Sequence, residues 1–248
     1  MVDSIAIRQV IRQNHETSPE ETIMSPLARR VAIAQMQFVV ALAVMFVVSS
    51  DSPRYWQGWL YWAVFSLCAS ATAAWFTRRD PALIERRMHV GVRAETSPLQ
   101  KAVLAVAGLG SAALVIGAGL EWRFTQPRFD LAMVLAGNAL LVLGFAICFA
   151  VLRANTFAAS TITLAENQTV ISTGPYAYVR HPMYSAAMVM FFGSPLALQS
   201  WSALGCAVVL TAAIVVRLLD EEKYLEARLA GYSDYCRTVR RRLVPGIW

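Results

Sequence analysis

Leu131 to Leu152 reads LAMVLAGNALLVLGFAICFAVL, twenty-two residues without one charged side chain. An α-helix rises about 1.5 Å per residue and a bilayer's hydrocarbon core is about 30 Å thick, so this stretch predicts a membrane-spanning helix. Working outward, further apolar runs occur at Val31–Val48, Trp56–Phe76, Ala102–Leu120, Met183–Leu198 and Trp201–Leu219. Pro195, Gln199 and Ser200 punctuate the boundary between the last two, which predicts a tight antiparallel hairpin. The expected fold is an all-α integral membrane protein of about six transmembrane helices, the last two forming a helical hairpin. Composition agrees: 57% of residues are hydrophobic and 15% charged, where soluble domains average about a quarter charged.

Three regions follow. Residues 1–30 form a polar N-terminal extension with Pro19 and Pro26, and it lacks the apolar core and small-residue cleavage site of a signal peptide. Residues 31–152 hold four spans. Residues 153–248 hold the last hairpin, a C-terminal tail and nearly all the embedded polarity. Of the 22 lysines and arginines, only Arg54, Arg123 and Arg128 fall outside if both termini are cytoplasmic. The positive-inside rule therefore places both ends in the cytoplasm, at the inner membrane if the source is bacterial. The net charge of +6 is spread along span ends, which suits anionic lipid headgroups and excludes nucleic acid as its explanation. Cys68, Cys148, Cys206 and Cys236 are scattered, with neither a disulfide framework nor metal-ligand spacing, so no metal is expected.

Two patterns have plainer readings. Gly108-Leu109-Gly110 lies inside a span with no preceding strand, so helix packing through small residues is expected in place of dinucleotide binding. Trp56, Trp59, Tyr61 and Trp62 at a span start read as an interfacial aromatic belt.

The candidate chemistry begins after Arg153. A polar stretch from Asn155 to Thr173, including Glu166, Asn167 and Gln168, leads to Gly174-Pro175-Tyr176 and then Arg180-His181-Pro182-Met183-Tyr184. Pro182 suits a first helical turn, whose amides would be available to a carboxylate. The plain alternative for Arg180 and His181 is interfacial anchoring. Further on, Arg217 and Glu221 are four apart and share a helix face, with Asp220 and Glu222 beside them. The plain alternative there is a solvated helix with internal ion pairs. Arg240, Arg241 and Arg242 read as headgroup contacts.

These residues, with Leu225 and Gly231-Tyr232 before Tyr235, resemble the isoprenylcysteine carboxyl methyltransferase family, a relative of the phospholipid N-methyltransferases. The resemblance covers about Asn155 to Trp248. It implies methyl transfer from S-adenosylmethionine, leaving S-adenosylhomocysteine, to a lipophilic small-molecule or prenylated acceptor in contact with membrane lipids. The implied cofactor-binding residues are Gln168, Thr169, Val170, Ile171, Tyr176, Arg180, His181, Pro182, Met183, Tyr184, Glu221 and Glu222. Gln168 departs from the family's eukaryotic members, where histidine is more typical. Arg217 and Glu221 are the implied catalytic pair, Arg217 orienting an acceptor carboxylate and Glu221 holding the cofactor's amino or hydroxyl groups.

Other acceptors, a phospholipid amine or a small thiol, remain open at this level. So does a membrane reductase of similar C-terminal architecture using NADPH. A transporter is disfavoured because no internal repeat is visible and spans one to four lack charged residues at their centres.

Overall fold

Helix starts follow local capping chemistry. Ser25, Ser97 and Ser200 each accept a hydrogen bond through Oγ from a backbone amide three residues on, at 3.2, 3.5 and 3.0 Å. Pro26 and Pro98 occupy first turns, where no amide donor is needed. The computed structural model describes residues 24–88, 95, 97–127, 130–157 and 168–248, so most of the N-terminal extension and the Glu166-Asn167 pair lie outside the described residues.

The described helices are α1 (Pro26–Ser50), α2 (Trp56–Arg79), α3 (Pro81–Met88), α4 (Pro98–Thr125), α5 (Leu131–Ala154), α6 (Pro182–Leu198), α7 (Trp201–Arg228) and α8 (Tyr232–Thr238). A short 3₁₀ turn, Gly174–Ala177, precedes α6. The protein is thus an all-α integral membrane protein. Five helices (α1, α2, α4, α5, α7) are long and apolar enough to cross a membrane, and the sixth expected span, α6, is a shorter apolar helix. Its 17 residues rise about 26 Å. The expected hairpin is present, turning at Gln199, which takes a left-handed conformation (φ 54°). Two features go beyond the apolar runs. The last helix does not stop near Leu219 but continues to Arg228, so Arg217–Glu222 is helical throughout. The amphipathic α3 follows α2 directly, its Leu83 amide capped by Asp80 Oδ1 at 3.0 Å.

Lipid offers no hydrophobic drive between helices, so close approach depends on small residues. One such case is α5 against α6. A Cβ placed on Gly193 would lie 2.8 Å from Leu140 Cβ and 2.9 Å from the Gly137 carbonyl oxygen, and one on Gly137 would lie 2.6 Å from the Gly193 carbonyl oxygen. In Gly108-Leu109-Gly110 only Gly110 packs closely, its Cβ position 2.9 Å from Leu210 Cδ2, while Gly108 faces open space and Leu109 is exposed.

Polar ties fasten the end of the bundle at the α6–α7 turn. Tyr55 Oη donates to the Leu198 carbonyl at 2.6 Å, and Gln57 Nε2 to Gln199 Oε1 at 2.6 Å. Glu121 of α4 accepts from Ser200 Oγ (2.7 Å) and from the Trp201 and Ser202 amides (3.1 and 2.9 Å), capping α7. The aromatic belt holds for exposed Trp56, but Tyr61 is buried against Ser194 Oγ at 3.1 Å and belongs to the core.

Gly193→Leu is expected to force α5 and α6 apart and cost at least about 2 kcal/mol, by analogy with overpacked cores. Thermal unfolding in detergent checks this, with Gly108→Leu as the near-neutral control.

Candidate active site

At the opposite end, α7 presents Arg217, Glu221, Tyr224 and Leu225 on one face, the i, i+4 stripe continued for two turns. The start of α6 presents His181, Met183 and Tyr184. The Gln168–Ile171 segment, the 3₁₀ turn and α8 close the remaining sides. Together they enclose a cavity of about 310 Å³, at the lower end of the size range of small-molecule sites. Two glycines shape these walls with left-handed backbones: Gly174 (φ +59°) opens the 3₁₀ turn and Gly231 (φ +80°) starts α8.

The expected residues converge there to a large degree. Gln168, Thr169, Val170, Ile171, Tyr176, Arg180, His181, Met183, Tyr184, Arg217 and Glu221 all line the one cavity. Pro182 and Glu222 do not; Pro182 shapes the helix start, and Glu222 is turned away from the cavity into the protein. Sequence reasoning missed Arg87 of α3, Leu104 of α4, and Tyr224, which also line it. The continued heptad-like stripe from Arg217 could have revealed Tyr224. Nothing local in the sequence points to Arg87 or Leu104.

Two linked polar groups organise the site. In the first, Tyr184 Oη donates to Glu221 Oε2 at 2.5 Å and accepts from Arg217 Nε at 3.0 Å. Arg217 and Glu221 therefore communicate through a phenol hydroxyl between them. In the second, the buried Glu222 carboxylate receives Arg180 Nε (2.7 Å) and Arg242 Nε (2.8 Å), with His181 Nε2 at 3.3 Å. Arg180 Nη1 also donates to the Val239 and Arg240 carbonyls, each at 3.3 Å. The backbone amides of Arg180 and His181 donate to the carbonyls of Arg241 and Arg242, both at 2.9 Å. These amides ahead of α6 are thus engaged by the chain's own C-terminal segment instead of facing a ligand. Arg242, expected at lipid headgroups, instead pairs with Glu222 and lies over the Trp248 ring.

Aromatic hydroxyls complete the walls. Asn155 Nδ2 donates to Tyr176 Oη at 2.9 Å, and Tyr235 Oη donates to the Tyr176 carbonyl at 2.8 Å. Burial pushes the Tyr176, Tyr232 and Tyr235 hydroxyls above the usual phenol value, so all three stay protonated at neutral pH. Tyr232 Oη, on the cavity wall beside Cys236, has no nitrogen or oxygen partner among the described residues. Among the described residues no group of His, Cys, Asp and Glu could hold a metal ion.

Residues 132–230 match the family model described as phospholipid methyltransferase. This stretch of the chain is similar to the phospholipid methyltransferase family. It covers about two-fifths of the sequence, from the start of α5 to just past the end of α7. No curated protein matches the chain. The similarity supports a membrane methyltransferase acting on lipophilic substrates. Every residue of the Arg180–Tyr184 and Arg217–Glu222 motifs lies within the family stretch. Arg87, Leu104, Tyr232 and Tyr235 bring walls to the cavity from outside it.

Removing one member of a buried ion cluster leaves its partners' charges uncompensated, at a cost of about 3 kcal/mol or more. Glu222→Ala is expected to destabilise the protein by about that amount, whereas Lys223→Ala, one position on and exposed, stays within about 0.5 kcal/mol. Chemical unfolding of the two variants in detergent measures the difference.

Proposed function

We propose that the cavity binds S-adenosylmethionine and that the protein methylates a lipophilic acceptor bearing a carboxylate, of the isoprenylcysteine type, at the cytoplasmic face of the membrane. The observation that carries this reading is the convergence of the Gln168–Ile171 edge, Tyr176, His181, Tyr184, Arg217 and Glu221 on one cavity. The donor set fits such a cofactor. A carboxylate (Glu221) suits an amino or ribose hydroxyl group, Tyr232 Oη is a buried hydroxyl with no nitrogen or oxygen partner among the described residues, and Tyr176, Leu225 and Leu229 offer apolar surface to a flat ring. The charge distribution of the sequence supports the cytoplasmic side, where such a cofactor is available.

Held by Glu221, Tyr176 and the Gln168–Ile171 edge, S-adenosylmethionine would supply a methyl group already activated on its sulfonium, the sulfur keeping the electron pair of the carbon–sulfur bond as the acceptor oxygen gains the methyl. A carboxylate nucleophile has no proton to lose, so the chain's tasks are alignment and exclusion of water. Arg217 meets the acceptor's charge. Tyr184, bonded to both Arg217 and Glu221, keeps the two at a fixed separation. His181 and Arg180, anchored on Glu222, keep the start of α6 in place beneath the cavity. The apolar lining from Leu104, Leu225 and Leu229 keeps the site dry.

Purified protein incubated with methyl-labelled S-adenosylmethionine and a native lipid extract should yield a labelled, lipid-soluble methyl ester that is lost on mild base treatment. A base-stable product, such as a methylated amine or thioether, would replace the carboxylate acceptor. Absence of any labelled product would remove the methyltransferase reading. Arg217→Ala and Glu221→Gln should each lower kcat/KM by about a hundredfold while the protein stays folded. S-adenosylhomocysteine at about 100 times its Kd should stabilise the protein by about 2.7 kcal/mol. NADP should not; the reverse order would favour the reductase reading.

A further inference from the structure

Among the described residues Arg217 is held by its own hairpin and by α4. Tyr184 of α6 takes its Nε. The other side comes from the far end of the sequence's first half. Gln100, in the first turn of α4 and 1% exposed, accepts from Arg217 Nη1 through Oε1 at 2.9 Å. The same carboxamide donates through Nε2 to Asp220 Oδ2 at 2.6 Å. Glu95 Oε2, on a carboxylate 2% exposed, stands 3.9 Å from Arg217 Nη1.

The chemistry of this bridge requires an amide. A guanidinium only donates and an ionised carboxylate only accepts, so a group spanning Arg217 and Asp220 needs an acceptor at one end and a donor at the other. The two partners also fix which way the amide points, because the flipped amide would set NH₂ against guanidinium and oxygen against carboxylate. Arginine carries about 2 kcal/mol of side-chain rotamer entropy. Restraint from α4 removes that freedom before any ligand arrives. Through Tyr184 Oη the restraint reaches Glu221 as well.

We infer that Gln100 is a positioning residue: its carboxamide, clamped to Asp220, aims the Arg217 guanidinium and through Tyr184 fixes the Glu221 carboxylate in the cavity. This rests on the function proposed above. It assigns to α4, outside the family-matched stretch, a part in setting the site's geometry.

The test is a double-mutant cycle on methyl transfer. Gln100→Met keeps the length and bulk of the side chain and removes both hydrogen bonds. It should lower kcat about tenfold while leaving the KM for S-adenosylmethionine within about twofold, because misaimed groups raise the barrier more than they weaken cofactor binding. In an Arg217→Lys background the same change should alter kcat by less than about twofold, since an ammonium is a point donor with no planar fork for the bridge to aim. Losses that multiply across the two backgrounds, or a folded Gln100→Met protein with wild-type kcat, overturn the inference. If Gln100→Met does not fold, Asp220→Leu carries the test: it leaves Gln100 in place, removes the acceptor for its Nε2 and should still reduce kcat several-fold, and unchanged kcat overturns the inference. A wild-type protein that binds no S-adenosylhomocysteine and transfers no methyl group overturns the proposed function and this inference together. An active wild type indifferent to Gln100 overturns the inference alone.

Discussion

One buried carboxylate, Glu222, holds together three parts of the chain that would otherwise separate. Arg180 at the start of α6, Arg242 in the C-terminal segment and Glu222 on α7 meet there with contacts of 2.7 and 2.8 Å, and His181 approaches at 3.3 Å. Taking several charges from water is costly, and their mutual attraction repays that cost only when geometry is good and remaining donors are satisfied. Here the Arg180 Nη1 donor finds two backbone carbonyls and the flanking amides find two more. The cluster ties the C-terminal segment to the α6 start. Ser185 Oγ extends the seam by donating to the Leu243 carbonyl at 2.6 Å.

The two ends of the bundle are held by different means, and this leaves one of them available for chemistry. At the α6–α7 turn, Tyr55, Gln57 and Glu121 are used up in capping and cross-linking. In the middle, glycine and alanine contacts between α5 and α6 do the packing, because lipid-facing apolar surface supplies no association energy. At the other end α7 runs two and a half turns past its apolar run, to Arg228. Those extra turns carry Glu221, Tyr224 and Leu225 beyond the apolar run and onto the cavity wall.

Much of this was legible in the sequence, for physical reasons that differ by feature. Twenty or so apolar residues in a row have few alternatives to a span, so Leu131–Leu152 and its neighbours are readable with their ends within about five residues, except that α7 runs on from Leu219 to Arg228. The i, i+4 spacing of Arg217 and Glu221 placed both on the cavity, and the Pro182 signal placed a helix start within one residue. The rest depended on contacts across long sequence separations. Gln100 lies 117 positions from Arg217, and no local pattern announces that pairing. The Glu121 cap on α7, from another helix entirely, is equally silent. Tyr61 was misread as interfacial because a tyrosine at a span start looks the same whether its hydroxyl meets water or Ser194.

The neighbouring residues Glu221 and Glu222 show where sequence reasoning reaches its limit. As adjacent carboxylates they are equivalent in charge and in helix position, and a motif treats them as one acidic pair. Successive residues on an α-helix point about 100° apart, and here that rotation brings Glu221 to the cavity and carries Glu222 away from it. Glu221 faces inward and takes the Tyr184 hydroxyl; Glu222 turns into the protein and takes two arginines and a histidine. The same rotation gives α7 two functions on two faces. One face supplies polar groups that a ligand can use, and the other anchors the elements that keep those groups in place. A residue that lines the cavity can be polar because its neighbour, one step around the helix, has fixed the wall on which it stands.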